Sequence, residues 1–179
     1  MAGLLALSRG IDWLNERFGW LAQYFVLFAV LISAGNATVR YLLSYSTNGL
    51  LEIQWYLFGA VVLLGAPLTL KQNGHVRVDL LYMMLSPRGR LWVDAGGFVL
   101  VLIPAGFYLA FLSFPFFWQS FLSDEVSQNA GGLILWPAKM LLPLGFMLLT
   151  IQGVSELIKR IAALRGVIEV ETDYEKPLQ

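Results

Sequence analysis

Four long apolar stretches, separated by short polar segments, organise the chain: about 18–43, 50–70, 91–121 and 133–158. Each reaches the roughly 20 residues a helix needs to cross a hydrocarbon core about 30 Å thick. The pattern predicts an all-α polytopic membrane protein with four transmembrane helices. The third stretch is longer than one crossing requires, which predicts a tilt, or a bend at Pro104 or Pro115. Pro67 predicts a kink at the far end of the second.

The segments around the spans carry their own periodicity. At 100° per residue, Leu4, Leu7, Ile11, Leu14 and Phe18 share one face. Ser8, Arg9, Asp12, Asn15 and Glu16 share another. Residues 1–17 therefore read as an amphipathic helix lying on the inner membrane surface, with its polar stripe toward water, the alternative being a frayed start to the first span, and not as a cleaved signal peptide. Gly74 interrupts the second span. After it His75, Asp79, Tyr82 and Ser86 form a polar stripe among apolar neighbours, a second, short interfacial helix. Ser86-Pro87 has the form of an N-cap and first turn for the third span. Residues 18–165 thus form the transmembrane domain. The acidic end of the chain, 166–179, lacks an apolar stripe and is expected to be disordered. No internal repeat is visible, which argues against an inverted-repeat transporter within this chain.

Composition agrees with the pattern: 58% of the 179 residues are hydrophobic and 13% charged, against about 45–50% and about 25% in soluble domains. Net charge is zero, which gives no basis for nucleic-acid binding. The absence of cysteine removes disulfides, thiolate metal sites and iron–sulfur clusters, and a single histidine cannot supply a bis-imidazole haem. No cofactor is expected. Ten of the twelve Lys and Arg lie before the first span, between the second and third, or after the fourth. By the positive-inside rule both termini and the 71–90 loop face the cytoplasm.

Ionisable groups within spans are costly and hence candidates for function. Arg40, Glu52 and Lys139 all fall toward the outer side, and the reading pairs Arg40 with Glu52 across the first hairpin, with Lys139 completing the cluster or facing a partner. Asp94, near the inner end of the third span, reads as a local counter-ion to Arg77, Arg88 and Arg90. His75 and Asp79 at i, i+4 read as a hydrogen-bonded surface pair, because no catalytic motif accompanies them. Ser33, Ala37, Gly59, Gly65, Ala66, Gly96, Gly97 and Gly106 permit close helix packing, either within the bundle or with another protein. Three classes of function are compatible with such a chain: a non-catalytic subunit of a larger transporter, an autonomous small transporter working as a dimer around Glu52, and a redox or enzyme subunit. The residues favour the first.

The stretches "GHVRVDLLY", "STNGLLEIQWYLFGAVVLLGAPLTLKQNGHVRVD", "LSPRGRLWVDAGG" and "EVSQNAGGLILWPAKMLLPLGFMLLTIQGVSELIKRI" resemble the small membrane subunit of tripartite ATP-independent periplasmic (TRAP) transporters, the DctQ-like family. The fourth stretch resembles its mannitol/chloroaromatic or 2-oxo-acid branch. The likeness covers roughly 18–163. It implies a scaffold for a large elevator-type membrane subunit, with uptake of an organic acid driven by an ion gradient, usually sodium, and delivered by a periplasmic binding protein. It further implies that His75, Arg77 and Asp79 set the cytoplasmic turn, and that Arg77, Arg88 and Arg90 meet membrane lipid. Arg40, Glu52, Gln54, Trp55, Trp136 and Lys139 would brace the outer half or dock the large subunit.

Overall fold

The computed structural model describes residues 1–74, 82 and 84–169. His75, Arg77, Asp79, most of the expected short helix after Gly74, and tail residues 170–179 lie outside the described residues. Four helices are long and apolar enough to cross a membrane: α1 (Ala2–Leu43), α2 (Asn48–Lys71), α3 (Pro87–Leu122) and α4 (Trp136–Leu164).

α1 is one helix of 42 residues, about 63 Å long at 1.5 Å per residue. No break separates the expected surface helix from the first span. The chain leaves α1 through Ser44 in the left-handed conformation (φ 50°). α2 closes with a Schellman motif. Gly74 N–H donates to Thr69 C=O (2.9 Å) and Asn73 N–H to Leu70 C=O (3.2 Å), with Asn73 at φ 54°, a conformation asparagine tolerates better than most residues. Asn73, one residue before Gly74, therefore makes the turn. α4 ends in the same way, with Gly166 at φ 69°.

α3 begins at the expected cap: Ser86 Oγ accepts the Gly89 N–H at 3.2 Å, and Pro87 occupies the first turn. Its length is absorbed by a π-helical turn over Phe98–Leu102, where the Ile103 N–H reaches back to Phe98 C=O. The wide turn directly precedes Pro104, which has no N–H to give the carbonyl one turn earlier.

α4 is the hub. It runs antiparallel to α1 and α3 and parallel to α2, and it packs extensively on all three. α3 packs mainly on α4, leaving much of its aromatic surface outward. The small apolar core comprises Ala22, Ala60, Leu64 and Leu148, bordered by Leu14, Phe18, Phe25, Leu141, Leu144 and Ile151. Close approach elsewhere depends on glycine. A Cβ on Gly145 would lie 2.6 Å from Leu63 Cβ and 2.9 Å from its carbonyl oxygen. Pro67 leaves that same carbonyl without its helical donor. Gly106 holds the α3–α4 seam, 2.5 Å from Thr150 Oγ1 by the same measure. Gly59, Gly96 and Gly97 instead face open space, so they hold no seam within the chain.

Candidate functional site

Polar side chains gather at the two ends of the helices. Between the ends, Ser113 and Thr150 return their hydroxyls to carbonyls of their own helix, both at 2.7 Å, as Thr69 does in the last turn of α2 at 3.2 Å. Each is thereby satisfied locally.

The inner end joins all four helices. On α1, Ser8, Asp12 and Asn15 follow at spacings of four and three. On α4, Gln152, Ser155, Glu156, Lys159 and Arg160 form a matching stripe. Because the helices are antiparallel, the stripes face each other. The Ser8 and Ser155 hydroxyls are 2.7 Å apart, and Ser155 Oγ donates to Asp12 Oδ1 at 2.8 Å. Asn15 Nδ2 donates to Gln152 Oε1 at 2.7 Å. Gln152 Nε2 bridges Asp12 (2.9 Å) and Glu156 (3.1 Å). Lys159 Nζ lies 2.8 Å from Asp12 Oδ2 and 2.6 Å from Glu156 Oε1. Asn15, Gln152 and Ser155 are fully buried, each at 0% exposure. The polar stripe of α1, expected to face water, is thus turned inward. Two matching polar stripes satisfy each other better than either would against apolar neighbours.

Arg160 extends the cluster. Its Nε donates to Asp94 Oδ2 at 3.0 Å, its NH2 to Asn73 Oδ1 at 3.4 Å, and its NH1 lies 3.7 Å from Glu156 Oε2. Tyr82 Oη also donates to Asp94, at 3.1 Å. Arg160, a residue assigned to the C-terminal segment by its place in the sequence, is thus an ion-pair partner of Asp94. Arg88 is exposed, and Arg90 lies over the Tyr82 ring at 5.6 Å. Lys71 pairs with Glu16 across α2 and α1.

The outer end is built around one carboxylate. Glu52, buried in the first turns of α2, accepts Ser127 Oγ and Asn129 Nδ2 (2.7 Å) on Oε1 and the Leu133 N–H (2.7 Å) on Oε2. These donors all belong to the α3–α4 loop. Asn48 Nδ2 to Ala130 O (3.1 Å) and Tyr56 Oη to Ile134 O (3.3 Å) hold the same loop, and Val126 and Ile134 form a bridge across it. Lys139 pairs with Glu125, with its ammonium 4.0 Å from the Phe116 ring centroid. Glu125, in the loop, is held below the ordinary carboxyl value of 4.5, chiefly by the hydrogen bond from the Lys139 ammonium.

The expected Arg40–Glu52–Lys139 cluster does not form. The loop supplies neutral donors that fit the Glu52 carboxylate, Lys139 takes the loop's own Glu125, and Arg40 is exposed with no ion pair among the described residues. Of the other residues singled out, Gln54 Nε2 donates to Leu50 O at 2.8 Å, Trp55 is 75% exposed, and Trp136 meets Phe121 edge-on at 5.5 Å. Sequence reasoning missed Ser127 and Asn129 and read α1 apart from α4. The signal for the inner cluster was present in the shared helical spacing of the two polar stripes.

Chemically, both ends act as fasteners: buried charges are paired, and the Glu52 carboxylate is committed on both oxygens. The family model for tripartite ATP-independent periplasmic transporters, DctQ component, matches residues 29–163. No curated protein and no solved structure matches the chain. That family is a transporter component, not an enzyme family, and its matched region takes in Glu52 with its loop donors, Asp94, and the whole polar stripe of α4. The chain belongs to the DctQ component family of tripartite ATP-independent periplasmic transporters.

Proposed function

We propose that this chain is the small, non-transporting membrane subunit of its transporter. It braces a large elevator-type membrane subunit in the bacterial inner membrane, with both termini cytoplasmic. Uptake of an organic acid, delivered by a periplasmic binding protein, is driven by an ion gradient, with sodium the expected ion. The resemblance to the mannitol/chloroaromatic or 2-oxo-acid branch suggests the substrate class.

The state of Glu52 carries the choice between this reading and an autonomous transporter. A coupling carboxylate must release its partners during the cycle. Glu52 is held by three donors of one loop, at the outer end of α2, where it serves as a clasp. The distribution of Lys and Arg supports the orientation, placing the clasped loop on the side from which a binding protein approaches.

The test is co-purification. A tagged chain is expressed in its native membrane, gently solubilised, and its partners identified. A large polytopic partner that transports only in complex with this chain is expected. A homodimer that transports substrate alone in liposomes, and loses transport on Glu52→Gln, would overturn the proposal.

A further inference from the structure

The face of α1 turned away from the other helices carries an alternating ladder. Arg9, Trp13, Arg17, Trp20 and Tyr24 follow at spacings of four, four, three and four, and all five are exposed. At 100° per residue they fall within an arc of about 80°, while Ser8, Asp12, Asn15 and Gly19, all at least partly covered, form the packed face. The Arg17 guanidinium lies 5.3 Å from the centroid of the Trp13 ring, and Trp20 meets Tyr24 edge-on at 4.6 Å. The acids of this segment point elsewhere: Asp12 to Lys159 and Glu16 to Lys71.

We infer that this ladder is a binding strip for the headgroup of an anionic phospholipid. Trp20 and Tyr24 stand where the long apolar run of α1 begins, the level at which amphipathic rings settle between hydrocarbon and water. Arg17 lies about 5 Å further out along the helix, at headgroup depth. The Trp13 ring beside the Arg17 guanidinium, 5.3 Å from centroid to Cζ, holds the cation by its π face, and a guanidinium offers the paired N–H donors that suit a phosphodiester's oxygens. Arg9 adds a second charge two turns beyond, with no carboxylate on the strip to neutralise either. The occupant is selected by charge: an aromatic face alone fits any lipid, whereas two arginines without counter-ions fit an anionic one. Placement in the inner leaflet rests on the cytoplasmic N-terminus proposed above. The lipid class does not.

The test uses the purified full chain in detergent micelles carrying equal phosphatidylglycerol and phosphatidylcholine, with bound lipid read by native mass spectrometry. Phosphatidylglycerol is expected to be enriched, and Arg9→Gln with Arg17→Gln to weaken its binding about 25-fold, from roughly 1 kcal/mol per basic residue at an anionic surface. Phosphatidylcholine binding should be unchanged. The melting midpoint in lipid-free detergent should also hold, because neither side chain touches the packed face. Equal retention of the two lipids by the unaltered chain, or enrichment that the double variant leaves intact, overturns the inference. Lower recovery of a membrane protein partner with lipid enrichment unchanged overturns it too, by making the strip a protein contact. A salt titration of the unaltered chain is independent of how the variant folds: enrichment must fall steeply with ionic strength, and a salt-insensitive preference is a negative result. Micelles have no sidedness, so failure here is separate from failure of the topology, which cysteine labelling from either side of the membrane reads.

Discussion

The two ends of this helix assembly are fastened by different means. The inner end is closed by side chains meeting side chains, contributed by all four helices and joining positions as distant as Ser8 and Ser155. The outer end is closed by one carboxylate that holds a loop, largely through backbone groups and short polar side chains. Damage at the inner end strands buried charge and should be felt by the whole molecule. Damage at the outer end frees a loop that can turn to water. Stability and local order are thereby divided between the two ends.

The largest effect is expected from Arg160→Met, which removes from a buried site the guanidinium that Asp94 and Glu156 share. Removing one member of a buried pair costs about 3–5 kcal/mol, read as a large fall in the melting midpoint in detergent. Adding Asp94→Asn should recover at least half of the loss. A single-variant loss below about 1 kcal/mol would mean that the inner end is no anchor. Next is Gly145→Ala, whose methyl would meet Leu63 and force α2 from α4, at about 1–3 kcal/mol. Gly59→Ala, with open space around it, should be neutral or stabilising by up to about 1 kcal/mol. If the two alanines behave alike, close approach at Gly145 is not what holds this seam.

Outer lesions should be smaller and local. Glu52→Ala is expected to speed proteolytic nicking within residues 123–135 several-fold while shifting the melting midpoint far less than Arg160→Met. A midpoint falling as far as that of Arg160→Met would erase the distinction between the ends. The smallest effect concerns Glu125. Its carboxyl value is lowered in the folded chain, so its ionised form favours folding above about pH 4.5 and that contribution disappears as pH falls through the lowered value. At neutral pH, Glu125→Gln should melt slightly below the unaltered chain, and the gap should close below pH 4.5. A gap that is constant with pH would show that the Lys139–Glu125 pair contributes nothing that titrates.

How much of this was legible in advance varied with the range of the forces involved. The four spans were, because solvation by hydrocarbon acts on each segment separately and demands length and apolarity that any window of sequence displays. The Ser86-Pro87 start of α3 was legible for the same reason, since a cap is made within one turn. The pairings of Glu52 and Lys139 were not. Both were decided by how the chain returns: Glu52 met the loop before α4 and not Arg40, Lys139 met Glu125 in that same loop, and Arg160 reached Asp94 from more than 60 residues away.

The N-terminal stripe shows the boundary most clearly. The spacing of Ser8, Asp12 and Asn15 determined that α1 has a polar face, but a polar face is equally at home against water or against another polar face. The matching stripe on α4 lies more than 130 residues away. Which helices become neighbours, and in which direction they run, is settled only when close-packing glycines, loop lengths and membrane crossings are satisfied together. The sequence by itself determined what each helix can bury, and the tertiary structure alone decided against what.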